Sequence, residues 1–401
     1  MAHHAHHDLA DSYQLPEAKW LKGRNTLLLV ALLSWAALAA GYFTDQDRFF
    51  ESYLVAFCFG AFTLLGCMFF VFVQYLTGSA WSVSVRRFME NIMVSVPAGF
   101  LLFIPVILGA PHLYSWTNTH LALTDPIIHG KVAWLNERSF VIRSAVYFIL
   151  WTIWAYGVWS QSTKQDGTKS IRQMHAASRW SAPGLLVVMY AGSFASFDWV
   201  MSLDPHWYST IFGLYCIAGG AGCFWAVTTL ISQAFQGAGE LKHSITKEHY
   251  HDLGKWMFAL AVFWAYMAVS QYLLIWYANL PEETIFYRNR FVGGWQGISV
   301  LLPIGRFIIP FALLIGRGAK RNAGVLRLAA IWIILMEFMD MYWLIMPNFH
   351  QAGPSLHWLD LAAMLGVVSV YGLVFWSRFH RHPMVVVGDM RFQQGLHFHQ
   401  I

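Results

Sequence analysis

The sequence has little charge for its length. Charged residues make up 12% of the 401 residues, about half of what is usual in soluble proteins, whereas hydrophobic residues make up 57%. This composition excludes an ordinary soluble domain and predicts an all-α integral membrane protein. The net charge of +5 does not indicate a nucleic-acid-binding protein, because the basic residues alternate with apolar stretches long enough to cross a membrane.

The sequence also lacks the usual ligands of metals and redox cofactors. Its four cysteines lie in apolar runs and form no CxxC pair, which argues against a disulfide framework, an iron-sulfur cluster and a zinc site. None of its 18 histidines lies deep in a predicted span, so a membrane haem held by two histidines is not expected. We therefore expect no metal site and no redox cofactor bound by this chain itself.

Ten apolar stretches are long enough to cross about 30 Å of hydrocarbon as helices. They are Thr26–Phe43, Tyr53–Leu76, Val94–Leu108, Phe140–Trp159, Ser181–Leu203, Trp207–Ala234, Gly254–Leu280, Gly294–Gly316, Ala323–Met346 and Leu356–Trp376. The third stretch is short and is expected to begin earlier, within residues 81–93. There Arg86 and Glu90, four residues apart, are predicted to form a surface pair.

The basic residues predict the orientation of the spans. Threading ten spans places 19 of the 26 Lys and Arg residues on one side, six on the other and Arg306 within the membrane. By the positive-inside rule both termini are then cytoplasmic. The predicted domains are a cytoplasmic polar tail (1–25), a ten-helix transmembrane domain (26–378) and a second cytoplasmic tail (379–401).

One stretch, Ser193–Tyr215, organises the predictions about function. Asp198 lies inside the fifth predicted span, where hydrocarbon disfavours a carboxylate by at least about 2.5 kcal/mol. It precedes Pro205 by the same spacing with which Asp340 precedes Pro347 at the end of the ninth span. This echo predicts two parallel four-helix units, spans two to five and six to nine, with equivalent aspartates near the outer surface. Two short matches can also arise by chance.

A further embedded charge, Arg306, lies between Pro303 and Pro310, so its helix is expected to be kinked and locally short of backbone hydrogen bonds. Counting along the helices places Glu337 at a similar depth, which predicts an Arg306–Glu337 pair. The alternative is that Arg306 binds freed carbonyls. We take four residues as candidates for proton handling, with structural polar contacts between helices as the alternative: Asp198, Asp340, Glu337 and Arg306.

The run SFDWVMSLDPHWYSTIFGLY and the PIGRFIIPF helix, in a chain of ten predicted spans, resemble the F-type membrane subunits of bacterial alternative complex III. These subunits belong to the NrfD-like, polysulfide reductase-type membrane family, and the complex is a quinol:electron-acceptor oxidoreductase. The resemblance implies two four-helix bundles plus two flanking helices in the bacterial inner membrane. It also implies assembly with haem c and iron-sulfur subunits and with a homologous quinol-binding membrane subunit.

The resemblance implies a quinol, such as reduced menaquinone (menaquinol), as the ligand. Three residues are candidates for its site by their position near the outer surface: Trp199, Asp204 and His206. The resemblance supplies no catalytic set that maps residue by residue onto this chain. Two other functions stay open at this point, a purely structural membrane anchor and a multi-pass secondary transporter with an internal repeat.

Overall fold

The structure, a computed structural model, describes residues 13–399 and is helical, with no strand in that range. Ten of the described helices are long and apolar enough to cross a membrane, which confirms the predicted number of spans. We number them spans 1 to 10 in chain order. They are Glu17–Thr44, Gln46–Leu76, Val83–Leu108, Glu137–Thr168, Ile171–Leu203, Phe212–Gly237, Lys247–Ala278, Trp295–Leu314, Ala323–Asn348 and Trp358–His380.

Several spans begin or end away from the predicted residues. Span 3 begins at Val83, as expected, and is made of three short helices, Val83–Met93, Val96–Leu102 and Ile104–Leu108. Span 6 begins at Phe212 rather than Trp207. Span 1 already begins inside the predicted N-terminal tail, of which residues 1–12 lie outside the described range.

Short helices connect the spans or follow them. They are Ala110–Leu113, Ser115–Thr117, Thr119–Thr124, Pro126–Lys131, Pro281–Arg290, Arg317–Arg321 and Phe392–Leu396.

The predicted repeat is visible in the packing. In spans 2–5, the first helix packs against the second and the fourth, the second against the third, and the third against the fourth. Spans 6–9 repeat this pattern in the same order. The chain therefore contains two four-helix bundles, which we call bundle 1 (spans 2–5) and bundle 2 (spans 6–9), with spans 1 and 10 outside them.

The two bundles meet where span 2 crosses span 6. A Cβ atom added to Gly66 would lie 2.4 Å from Cα of Ala221, and one added to Gly220 would lie 2.2 Å from the carbonyl oxygen of Phe62. Glycine at these positions lets two helix backbones touch, which is how spans commonly associate without a hydrophobic driving force. The first helices of the two bundles thus form the centre of the molecule.

Spans 1 and 10 pack against each other at the side of the bundles. The indole of Trp20 donates to the carbonyl of Trp376 at 3.2 Å, and the indole of Trp376 donates to the carbonyl of Trp20 at 2.8 Å. The backbone N–H of Met384 donates to the carbonyl of Tyr13 at 2.8 Å, so both ends of the described chain lie on one face. We call this the terminal face, and we call the opposite end, which carries residues 109–136, the loop face.

The terminal face corrects one prediction. Arg86 and Glu90 do pair, with Nε and Oε1 3.4 Å apart, but both side chains are fully buried, so the pair does not lie on the surface. Asp389, from the segment after span 10, pairs with Arg86, and Asp166 at the end of span 4 pairs with Arg87. Although burial works against ionisation, Arg86 holds the pKa of Asp389 below its usual range. The predicted C-terminal tail therefore folds back over the bundle and covers these arginines.

Candidate functional site

Span 8 is irregular at its middle. A π-helical segment, Ile304–Ile308, precedes Pro310, as the prolines of this helix predicted. Because Pro310 has no N–H, the carbonyl of Gly305 loses the donor that a π-helix would supply from five residues later. The indole of Trp332 donates to this carbonyl at 2.7 Å. The segment thus keeps its backbone satisfied and presents the side chain of Arg306 to the interior of bundle 2.

Arg306 lies between two carboxylates of span 9. Its Nη2 lies 2.5 Å from Oε2 of Glu337, which confirms the predicted pair, and its Nη1 lies 2.5 Å from Oδ2 of Asp340. The hydroxyl of Tyr215 donates to Oδ1 of Asp340 at 2.5 Å, and the indole of Trp264 donates to Oδ2 at 3.1 Å. We call these five side chains the Arg306 cluster. They come from spans 6, 7, 8 and 9, so every helix of bundle 2 contributes.

The charges of the Arg306 cluster do not balance. Two fully buried carboxylates share one guanidinium, so the cluster carries a net charge of −1 when both are ionised. Oε1 of Glu337 is buried without a hydrogen-bond partner among the described residues. A buried, unpaired charge is strongly disfavoured. One proton on the carboxylate pair would remove the excess charge.

Room for this arrangement comes from a glycine of span 6. A Cβ atom on Gly219 would lie 2.9 Å from Oε2 of Glu337 and 3.0 Å from Nη2 of Arg306. Beside it, a narrow cleft with a cavity volume of about 10 Å³ is lined by Arg306, Trp264 and apolar residues of spans 6, 7 and 9. Met257 and Ile333, which also line the cleft, lie on the side of Arg306 nearer the terminal face. The cleft therefore leads from the cluster towards the terminal face.

On the other side of the cluster, polar side chains lead towards the loop face. Tyr287 lies near Tyr215. The amide of Gln271 donates to the Tyr287 hydroxyl at 3.3 Å, and the hydroxyl of Ser209 donates to Oε1 of Gln271 at 3.2 Å. Ser209 belongs to the turn between spans 5 and 6 at the loop face. Hydroxyl and amide groups in such a row can relay protons together with water.

Asp198, the first candidate from the sequence, has a different environment. Arg143 binds it in a two-bond fork, from Nε to Oδ2 at 2.9 Å and from Nη2 to Oδ1 at 2.8 Å. Tyr147 donates to Oδ2 at 2.8 Å and Trp134 to Oδ1 at 3.0 Å. One arginine thus balances one carboxylate, and each oxygen of Asp198 accepts two hydrogen bonds. This is the geometry of a stabilising contact between spans 4 and 5.

Asp198 and Asp340 do not occupy equivalent positions, contrary to the prediction from their shared spacing. Asp198 comes one residue before the last α-helical residue of span 5, Trp199, whereas Asp340 comes five residues before that of span 9, Ile345. The difference of four residues places Asp340 about 6 Å deeper in its bundle. Both side chains are fully buried, so the prediction that they face the outer surface is wrong.

A different pair of contacts marks the repeat. The indole of Trp199 donates to the hydroxyl of Ser144 at 3.1 Å, linking spans 5 and 4. The indole of Trp343 donates to the hydroxyl of Ser299 at 2.8 Å, linking spans 9 and 8. Trp and Ser are too common in membrane helices for these pairs to be matched between the two bundles from the sequence. Only the structure shows that Trp199 and Ser144 in bundle 1 correspond to Trp343 and Ser299 in bundle 2.

The three residues suggested for a quinol site have different environments and do not form one site. Trp199 is fully buried and stacks on Phe148, with ring centroids 5.6 Å apart, so it is part of the core. His206 binds Asp125 of the loop-face segment at 2.6 Å rather than Asp198, and the hydrogen bond from His206 lowers the pKa of Asp125. Asp204 lines a second narrow cleft, with a cavity volume of about 10 Å³.

Sequence reasoning missed several members of both sites. Arg143 lies inside the predicted fourth span, and an arginine at that position was a signal that an acidic partner is near. Tyr215 and Trp264 carried no signal, since aromatic residues are abundant throughout the chain.

Comparison of the sequence with protein-family models gives no match, and comparison with curated proteins gives none either.

Proposed function

We propose that this chain is a membrane subunit of a quinol:electron-acceptor oxidoreductase of the alternative complex III type and that bundle 2 carries protons through the Arg306 cluster. The resemblance of the SFDWVMSLDPHWYSTIFGLY and PIGRFIIPF segments supports the assignment to this class of complex. The observation that carries the proton role is the pair of buried carboxylates sharing one arginine, with Oε1 of Glu337 unpartnered among the described residues.

The chemistry divides between this chain and its partners. Oxidation of a quinol to a quinone releases two electrons and two protons, and the electrons pass to haem and iron-sulfur groups of partner subunits. The two clefts described above have cavity volumes of about 10 Å³ each, far below the roughly 300 Å³ at which ligand pockets usually begin. Trp199 is sealed in the core. These residues do not fit a quinol head group, so we assign quinol binding to the homologous partner subunit and proton movement to this chain.

The proposed proton step uses groups on both sides of Arg306. A proton enters through the cleft beside Met257 and binds Glu337, whose second oxygen has room to accept it. Arg306 contacts both carboxylates, so protonation of Glu337 strengthens its pairing with Asp340. Loss of the proton towards Tyr215 and the loop face restores the starting charge. By the positive-inside rule the terminal face is cytoplasmic, and the direction of transfer is outward.

The test uses the complex purified through a tag on this chain and reconstituted into liposomes. Glu337→Gln keeps the side-chain shape and the contact with Arg306 but leaves one carboxylate for one arginine. We expect co-purified haem and iron-sulfur subunits, near-normal electron transfer from quinol, and loss of most proton translocation. The matched control, Glu282→Gln on the exposed helix Pro281–Arg290, should keep both activities.

Two outcomes would contradict the proposal. Unchanged proton translocation in Glu337→Gln would leave the Arg306 cluster a structural contact and the chain an anchor. Purification of the chain without any haem-bearing partner would favour a secondary transporter, a class in which internal repeats are also common.

A further inference from the structure

A second group of buried charges lies at the loop face, where span 2 meets span 10. Arg48 of span 2 donates from Nη2 to Oδ2 of Asp360 at 2.7 Å and to the carbonyl of Ser355 at 2.6 Å. Its Nη1 lies 2.9 Å from Nε2 of His350, and the same Nε2 lies 2.7 Å from Oε2 of Glu51. The His350 side chain is 33% exposed, whereas that of Glu51 is 11% exposed, so the group connects a buried carboxylate to the surface.

The contacts of Nε2 conflict unless a proton is placed on one side. A histidine ring nitrogen either carries a proton and donates it or offers its lone pair and accepts. With the proton of a neutral ring on Nδ1, Nε2 accepts from Arg48, and no hydrogen lies between Nε2 and the Glu51 oxygen 2.7 Å away. With a proton on Nε2, in the neutral Nε2–H tautomer or in the imidazolium, Nε2 donates to Glu51 and no longer accepts from Arg48. The shorter contact therefore favours a proton on Nε2, and the surrounding charge bears on whether Nδ1 carries one as well.

The charges around His350 favour a second proton on its ring, which would make it an imidazolium. Span 2 contributes Arg48 and Glu51, and span 10 contributes Asp360, which also binds the hydroxyl of Ser52 at 2.6 Å. With neutral histidine, these groups sum to −1. From the neighbouring elements, Tyr342 of span 9 faces Arg48 and Asp360, and Asp47 adds negative charge near Glu51 while pairing with His112. A proton on His350 brings the group to neutrality.

We propose that His350 and Glu51 form a proton-binding site at the loop face, separate from the Arg306 cluster. The proton comes from water on that side and converts the ring of His350 to an imidazolium, which donates from Nε2 to Oε2 of Glu51. This site does not depend on the complex to which the chain belongs.

Protonation at this site would control the segment between spans 9 and 10. Residues 349–357 are held by Arg48 and Tyr342 on the carbonyl of Ser355 and by the indole of Trp295 on the carbonyl of His350, at 2.6 Å. When the proton leaves, the charge-assisted bond from the imidazolium to Glu51 becomes a weaker bond from a neutral ring, and the group regains its net charge of −1. His350 then moves away from span 2 and loosens the segment. Low pH therefore fastens the segment and high pH frees it.

The experiment follows a nitroxide spin label on Gln351→Cys, an exposed position next to His350, in the full-length protein in nanodiscs. The four native cysteines are buried and give little background labelling. Between pH 5 and pH 8, the range over which histidine ordinarily changes charge, we expect a growing mobile component in the spectrum. His350→Gln and Glu51→Gln should each abolish this pH dependence.

Two controls make the result decisive. His357→Gln removes another histidine of the same segment and should leave the transition intact. A label at Glu282→Cys, on the same face but away from the site, should show no transition. A pH-independent spectrum at Gln351→Cys in the parent protein would overturn the proposal. So would a transition that survives in both His350→Gln and Glu51→Gln, each eluting as a single species like the parent.

Discussion

Replacing Arg306 by methionine is the sharpest test of the Arg306 cluster. Methionine fills a similar volume but leaves Glu337 and Asp340 fully buried and three residues apart on span 9, without a cation. Removing one partner of a buried ion pair typically costs about 3 to 5 kcal/mol, because the remaining charge is stranded. We expect Arg306→Met to lower the free energy of unfolding by at least this amount unless both carboxylates take up protons.

The matching rescue removes the stranded charges. In Arg306→Met with Glu337→Gln and Asp340→Asn, no ionisable group of the three remains, and the one amide oxygen that Asp340→Asn keeps can still accept from Tyr215, while Trp264 loses its acceptor at Oδ2. We expect this triple variant to regain most of the lost stability, since replacing a whole buried ion pair is often neutral.

Unfolding in mixed micelles with increasing denaturing detergent gives the comparison. Arg288→Met, at an exposed position of the helix Pro281–Arg290, is the control and should change stability by less than about 0.5 kcal/mol. The reasoning fails if Arg306→Met is as mild as this control, or if the triple variant is less stable than the single one.

Three further predictions follow from the packing and the charges. Gly219→Ala should lower the free energy of unfolding by about 1 to 3 kcal/mol, because the added Cβ would press on Glu337 and Arg306. Gly222→Ala, whose Cβ would meet its nearest atom at 3.8 Å, should leave the free energy of unfolding unchanged or raise it. Equal effects of the two substitutions in the same unfolding assay would contradict this prediction. Asp389→Ala should lower the free energy of unfolding by about 3 kcal/mol because it removes the nearer of the two carboxylates that pair with the buried Arg86 and leaves Glu90 alone with it, and unchanged stability would show that the C-terminal segment does not stabilise the terminal face. Reporter fusions at Lys169 and Arg321 should report a cytoplasmic location, and an exported signal at either residue would reverse the proposed orientation.

The depth of burial of each span could not be predicted from its hydropathy. Span 2 has 89% of its apolar window buried, whereas span 1 has 22%, although their mean hydropathies are 2.4 and 1.9. Lipid and protein interior are equally apolar, so apolar sequence does not distinguish a central span from a lipid-facing one. The glycines at the crossing of spans 2 and 6 are the local signal for the centre, but many other glycines occur in the chain.

Proline positions and residue counting predicted the Arg306–Glu337 ion pair but not its further partner, Asp340. Two prolines in span 8 predicted the irregular helix, and counting residues from there placed Glu337 near Arg306. The spacing of three residues places Asp340 on the same face of span 9 as Glu337. The same counting did not select Asp340 as a second partner, because depth along a helix does not specify how many side chains one arginine of the neighbouring helix reaches. For Asp198, the spacing to proline suggested a proton acceptor, whereas its partner Arg143 makes it a balanced contact.

The sequence by itself determined that the chain is an all-helical membrane protein with ten spans, because hydrocarbon leaves an unpaired backbone few alternatives to the helix and the apolar runs are long enough to cross it. Only the tertiary structure decided which charges are compensated. Arg86 is neutralised by Asp389, 303 residues away in the sequence, and two carboxylates share Arg306 while Asp198 has an arginine to itself. Compensation of a buried charge depends on distances of a few ångströms between different helices, and those distances follow from how the helices pack.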